Sequence, residues 1–399
     1  AKRIFSDLEK GKYKLVYVMV NLVHAALAAL AYTNDIFTGY VFIEICTIAS
    51  CALLMARSHG KSLVAATRYM IFSLMGSGLV LIGIILLYSI TGHLLFPQMY
   101  QSVQSLWTSG EYRIPLTVAI GLLVSGLAIK SGLFPFHFWM PDTYGYACAA
   151  SSGILSGIVS KGYIFLLIKI IYRCFGTDAF YASGIDDVLY IFGVCAMIFG
   201  SLEALRENEI NRMTAFSSAA QIGYIYMGIG LSPTLGMTAA MFHIVFHTIT
   251  KPMLFLANGK LVEASGNMGR FHDLRGSALR NKMAGVAYCV GAMSMVGIPS
   301  MMGFVSKLLF AQAAIEGKLK MVITLCALAL STILNTMYFL RTIITLYAPP
   351  AHDVQAMPSV KRGSQKGFAF VSFIFILLNL FFGVYSQPLV EWIRMGLVL

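Results

Sequence analysis

Four lysines, one glutamate and a histidine pair lie in this sequence where apolar residues are expected. Lys130, Lys161 and Lys251 fall near the middle of long apolar runs, and Lys307 follows Gly297-Ile298-Pro299 by eight residues. Glu44 is the one acid placed equally deep. His243, His247 and Lys251 are spaced by four, so on a helix they share one face. Charge in an apolar run is costly, and in membrane segments it marks ion or proton paths. The chemistry this set supports is proton handling. A lysine taken out of water loses its proton more readily, and a nearby carboxylate reverses that effect. Moving the carboxylate therefore switches the lysine between holding and releasing, while histidine shuttles near neutrality.

A second signal coincides with the first. The stretch GLAIKSGLFPFHFWMPD, residues 126–142, carries Lys130, then Gly132, then Pro135, with Pro141 at its end. His137 lies two residues past Pro135. Pro299 breaks a later run in the same way. A broken helix in a bilayer frees backbone groups that must face protein or water. Charge and break together predict an ion site at membrane depth, built around Pro135 and Pro299.

The elements that must carry these residues are membrane helices. The chain has 399 residues, of which 58% are hydrophobic and 12% charged, with a mean hydropathy of +0.76. The charged share is about half that of a soluble domain. Eleven apolar spans are predicted, at 15–32, 36–56, 63–91, 114–141, 148–174, 186–203, 210–231, 235–260, 283–312, 321–347 and 367–390. The fold class is all-α, a polytopic membrane protein of about 11 transmembrane helices. The longest connections are 92–113, 261–282 and 348–366. Trp107, Tyr112, Trp139 and Trp392 lie near span ends, as interfacial anchors do.

The net charge of +12 does not indicate nucleic acid, because the basic residues fall in short loops rather than on one patch. Eighteen Lys and Arg residues lie on the side of the N-terminus and five on the other. That bias predicts a multi-pass protein of the cell inner (cytoplasmic) membrane, with the N-terminus cytoplasmic and the C-terminus outside. Residues 1–14 are basic and lack the apolar core of a signal peptide. Lys169 and Arg341 fall in the last turns of their spans, where a long side chain reaches the interface, and read as structural. The seven cysteines are scattered without a CxxC, so they read as buried apolar residues rather than metal ligands or disulfides. His243 and His247 also admit a haem or zinc reading, with His24 or His137 as haem partners from facing helices.

The two breaks are five spans apart, an odd number. Two five-helix units of opposite orientation follow, the pattern of inverted repeats. The predicted organisation is a cytoplasmic segment 1–14, a first repeat 15–174, a second repeat 175–347, and a loop with one C-terminal helix, 348–399.

Five segments resemble the antiporter-like subunits shared by respiratory complex I, membrane-bound hydrogenases and multi-subunit sodium/proton antiporters. They are YVFIEI, AIKSGLFPFHFWMPDTY, INRMTAFSSAAQIGYIYMGIG, FHIVFHTITKPMLFLANGKL and VGIPSMMGFVSK. The resemblance covers nearly the whole chain. It implies that Glu44 and Lys130 form a switching pair, Lys161 the next relay, His243, His247 and Lys251 the central link, and Lys307 the exit-side lysine. It implies a proton- or sodium-translocating subunit whose partners are other membrane subunits, redox subunits among them, within a lipid bilayer. Without a nucleotide, flavin or iron–sulfur motif, no cofactor is expected in this subunit. Three departures stand out. The family usually has fourteen helices, and counterparts of its first three are absent here. Pro252 replaces a small residue beside Lys251, where a kink is expected. The segment EALRENEINR, 203–212, is unusually acidic.

Overall fold

The computed structural model describes residues 12–57, 60–316, 320–349 and 366–398. Most of the predicted segment 1–14, and positions 350–365 of the last loop, lie outside the described residues. The first half comprises α1 (Tyr13–Tyr32), α2 (Ile36–Met55), α3 (Gly60–Thr91), α4 (Phe96–Ser109), α5 (Arg113–Ser131), α6 (Met140–Tyr146), α7 (Ala149–Ile154) and α8 (Ser160–Ile170). The second comprises α9 (Thr177–Ala182), α10 (Ile185–Arg206), α11 (Ile210–Ile229), α12 (Leu235–Glu263), α13 (Ser277–Arg280), α14 (Lys282–Val296), α15 (Met302–Glu316) and α16 (Met321–Tyr347). Two helices close the chain, α17 (Lys366–Val384) and α18 (Gln387–Val398).

Among the described residues, nine helices are long and apolar enough to cross a membrane. The two other predicted spans are crossings of a different kind. α14 and α15 are two halves separated by a break, each too short alone. α11 is less apolar because protein, not lipid, surrounds it: nearly every residue in it is buried. The outer helices show the converse. Large apolar side chains such as Ile71, Leu74, Ile333, Leu340 and Phe373 are exposed, as lipid-facing surface must be.

The breaks form by the same backbone device. α5 ends on Gly132 with φ +82°, and α14 ends on Gly297 with φ +88°. In each case the glycine N–H and the next N–H turn back to carbonyls of the last turn. The left-handed conformation favours glycine at both positions. After Gly132 the chain passes through the single turn Phe136–Trp139 into α6.

Neighbour relations repeat between the halves. α1 packs on α2 as α10 packs on α11, α2 on α3 as α11 on α12, and α3 on the broken α5 as α12 on α14 and α15. The α10–α11 contact is close, since a Cβ on Gly193 would lie 2.4 Å from the Met227 backbone nitrogen. Small residues bring membrane helices this near. The basic residues read as structural occupy matching places. Lys169, at the end of α8, donates to the carbonyls of Ala31 and Thr33 at the end of α1. Arg341, near the end of α16, donates to the carbonyls of Leu205 (2.8 Å) and Glu207 (2.9 Å) at the end of α10. Each satisfies carbonyls that a helix end leaves without partners.

Three details differ from the sequence expectation, and a fourth concerns Pro252. The 92–113 connection holds α4, an amphipathic helix that starts at Phe96-Pro97 and buries Phe96, Met99 and Val103. The last span, 367–390, ends at Val384, and a second amphipathic helix, α18, follows Ser386. Trp139 is no interfacial anchor: it is 2% exposed and packs edge-on against Tyr69 and Tyr144. Pro252 does not interrupt α12, which runs unbroken from Leu235 to Glu263. The proline packs against Gly153 and Gly157, and a Cβ on Gly157 would lie 2.5 Å from its ring. The fifth span absorbs that contact by opening into a π segment, Leu155–Val159.

Candidate functional site

The deep acid and the deep base meet. Lys130 Nζ lies 2.9 Å from Glu44 Oε1, with the lysine side chain 0% exposed and the glutamate 22%. Lys130 also donates to Thr47 Oγ1 at 3.0 Å, three residues from Glu44 on α2. Ser77 of α3 donates to the same carboxylate. Thr47 Oγ1 lies 3.2 Å from the Tyr163 hydroxyl, and that hydroxyl lies 3.3 Å from Tyr69. The Lys130 ammonium sits 5.5 Å above the Tyr163 ring. Tyr163 thus brings the pair to α8, two residues from Lys161.

Lys161 is held differently. It donates to the Ser156 carbonyl, inside the π segment, and to Ser160 Oγ at 3.1 Å. π turns release carbonyls from regular pairing, which supplies an acceptor at this depth. Ser156 Oγ in turn lies 3.0 Å from Ser218 Oγ on α11. The adjacent Ser217 accepts from Lys251 Nζ at 2.7 Å, and Lys251 also donates to the Thr214 carbonyl at 3.1 Å. Of two consecutive serines on α11, one therefore holds Lys251 and the other touches Ser156, whose carbonyl holds Lys161.

His243 and His247 rise from Lys251 along α12, one turn apart, with ring centroids 6.4 Å apart. Both are buried. His243 Nδ1 lies 2.7 Å from Ser306 Oγ, the neighbour of Lys307 on α15. Lys307 Nζ donates to the Val296 carbonyl at 2.6 Å and to Thr332 Oγ1 at 2.9 Å. Val296 is the last residue of α14, so the break supplies this acceptor directly. Lys161, Lys251 and Lys307 bond to neutral oxygens, which accept from an ammonium and, more weakly, from an amine. Either protonation state is accommodated without rebuilding the site.

Glu44, Lys130, Lys161, Lys251, His247, His243 and Lys307 are thus brought into one buried sequence of groups. His137 is not part of it. It is buried past the Pro135 break, ring-stacked with Phe138, with neither ring nitrogen hydrogen-bonded. His24 is exposed on α1. Among the described residues no three His, Cys, Asp or Glu side chains converge as a metal site would require. Thr47, Ser77, Ser156, Ser218, Ser306 and Thr332 were not selected from sequence, since isolated hydroxyl residues are common in membrane helices. The doubled serine 217–218 was the one available signal.

A cluster on the side of the α6 end explains the acidic segment 203–212. Asp142, at the start of α6, accepts from both Arg68 of α3 and Arg212 of α11. Arg212 Nε donates to Glu207 at 3.0 Å. One arginine therefore spans Asp142 and Glu207, fixing α6 to the second half. Asp142→Asn is expected to lower complex stability by about 1–3 kcal/mol, the cost of loosening a partly buried charge pair. Thermal unfolding of the purified complex measures this, and an unchanged midpoint would make the cluster incidental.

Residues 33–335 match the family model described as NADH:quinone oxidoreductase/Mrp antiporter, transmembrane. The chain belongs to that family. It is 32% identical to NADH-quinone oxidoreductase subunit N of Desulforudis audaxviator over 364 residues, covering 90% of this chain and 70% of the relative. It is 25% identical to a Na(+)/H(+) antiporter subunit of Bacillus subtilis over 387 residues, covering 96% of this chain and 75% of the relative. Among solved structures it is similar to a chain of the membrane-bound sulfane sulfur reductase, an archaeal respiratory membrane complex. The TM-score is 0.84 at 25% identity, covering 97% of this chain and 75% of the other. A chain of the Mrp complex from Dietzia is similar to the same degree, with a TM-score of 0.84 at 26% identity, covering 95% and 76%. Family members of both kinds, oxidoreductase and antiporter, thus share this fold over almost the entire chain.

Proposed function

We propose that this chain is the ion-translocating, antiporter-like subunit of a multi-subunit membrane complex, and that it moves protons along Glu44, Lys130, Lys161, Lys251, His247, His243 and Lys307. The observation that carries the reading is the Lys130–Glu44 pair, 2.9 Å apart with the lysine buried, at one end of a run of buried bases. A carboxylate that moves from Lys130 alters how firmly the lysine holds its proton, and the serine-linked bases beyond it offer successive acceptors. The two halves act as inverted repeats, 15–174 and 175–347, each with one broken helix. Support comes from the repeated neighbour relations and from the matched Lys169 and Arg341 caps. The reading assigns no cofactor to this chain and leaves any redox chemistry to partner subunits. The relatives named oxidoreductase subunits support a redox-driven complex, and those named Na(+)/H(+) antiporter subunits support a stand-alone antiporter that also carries sodium. Co-purification separates them: dehydrogenase or hydrogenase subunits support the first, and membrane subunits alone the second. Ion flux in vesicles holding the purified complex tests the core claim, and flux unaffected by Lys251→Ala would defeat it.

The same reading sets the chain in the cytoplasmic membrane with its N-terminus inside and its C-terminus outside. The charge bias of its loops supports that orientation. His272 lies in the 261–282 connection with its side chain 76% exposed. In a background without native cysteines, His272→Cys is expected to react with an impermeant thiol reagent only from the cytoplasmic side. Labelling from outside would reverse the topology.

A further inference from the structure

Between α11 and α16 lies a second run of buried polar groups that the lysine–histidine sequence does not use. Ser217, Gln221 and Tyr224 follow one another at helical spacing on one face of α11, and all are fully buried. Tyr338 of α16 donates to Asn335 Oδ1 at 2.5 Å, and its hydroxyl faces Ser217. Ser201 of α10 also donates to Asn335 Oδ1, at 3.4 Å, and lies 3.3 Å from Ser331 Oγ. The Tyr224 ring stacks on His243 at 5.2 Å, and Ser331 is followed on α16 by Thr332. One end of this run is Ser217, which holds Lys251. The other is Thr332, which holds Lys307.

The run is not closed by direct bonds. Both polar atoms of the Gln221 amide, the Tyr224 hydroxyl and the Asn335 amide nitrogen are buried without a hydrogen-bond partner. Buried polar groups that lack a protein partner are ordinarily satisfied by water, and four such atoms along one seam specify where water must sit.

We propose that this seam is a second, water-bridged proton branch joining Lys251 to Lys307 beside the His247–His243 route. Gln221, Tyr224, Asn335 and Tyr338 are its relay residues. The inference rests on the ion-translocation reading and adds to it a parallel path. An N–H bond of the Lys251 ammonium breaks as an O–H bond forms on the adjacent water. Each water or tyrosine hydroxyl passes on one proton and accepts another. The last O–H bond breaks as an N–H bond forms on a neutral Lys307. Every carrier ends with the hydrogens it began with, and nothing is oxidised. The two amides hold water in line and do not carry the proton themselves.

Two measurements on the assembled complex test the branch. Hydroxyl-radical footprinting oxidises side chains next to bound water. Tyr224 and Tyr338 are expected to label quickly although buried, whereas the fully buried Phe180 does not. Labelling at the Phe180 level, after correction for intrinsic reactivity, overturns the proposal whatever any variant does. In vesicles, the double variant Gln221→Leu, Asn335→Leu is expected to lower proton flux to roughly half, as removing one of two parallel transfer routes does. His247→Leu alone is expected to keep partial flux, and the triple variant to fall to background. Flux in the triple variant equal to that of His247→Leu alone overturns the branch. Glu44→Gln in the same assay separates the two claims. If it keeps full flux, the ion-translocation reading fails. If it loses flux while the branch variants keep theirs, only the branch fails.

Discussion

Glu44→Gln is expected to abolish ion flux and to destabilise the complex at the same time. The carboxylate is the one anionic side chain on Lys130, whose side chain is fully buried. Leaving that ammonium without its partner costs about 3–5 kcal/mol, the penalty for breaking a buried pair. Lys130→Met leaves the partly exposed Glu44 instead, so its stability loss is expected to be smaller, with flux equally lost. The double variant Glu44→Gln, Lys130→Met buries no charge at this point and is expected to regain stability but not flux. Vesicle flux and thermal unfolding, run side by side on the three variants, measure the two effects independently. Normal flux in Glu44→Gln would remove the switch, and double-variant stability no better than Glu44→Gln would remove the pair.

Lys307→Arg is expected to assemble normally and to lose flux by more than about tenfold, because guanidinium keeps its charge and cannot act as a proton acceptor. Its acceptors, the Val296 carbonyl and Thr332, can be reached by arginine, so a purely structural role would survive the exchange. Flux near the unmodified level would make Lys307 a fastener across the break rather than a proton carrier. Assembly checked by co-purification distinguishes lost transport from lost protein.

Charge and proline were legible in the sequence because both are expensive inside a bilayer. Lys130, Lys161, Lys251 and Glu44 stand out against apolar surroundings, and Pro135 and Pro299 interrupt long spans. Their convergence follows from packing that one-dimensional periodicity does not contain. Nothing local ties Ser156 to Ser218 or Thr47 to Tyr163; those contacts depend on which helices become neighbours. Trp139 misled for the same reason. Placed near a span end it reads as an anchor, but the break at Gly132 folds it back into the core. The acidic loop became intelligible only when Arg212 was seen to need two carboxylates.

The two glycine-capped breaks have an electrostatic consequence. α5 and α14 each stop at a glycine with the carbonyl end of the helix. Lys130 occupies the last turn of α5, and Lys307 bonds to the final residue of α14. A helix presents roughly half a negative elementary charge at its carbonyl end, so each lysine meets about that much. That is less than a glutamate carries, and it belongs to the backbone. It does not titrate at any pH at which the protein survives, and no side-chain exchange at Glu44 deletes it. A cation at Lys130 therefore meets a permanent counter-charge together with a switchable one, whereas a cation at Lys307 meets only the permanent one. Movement of Glu44 changes only part of the field, which lets the lysine release a proton without the site becoming hostile to the next.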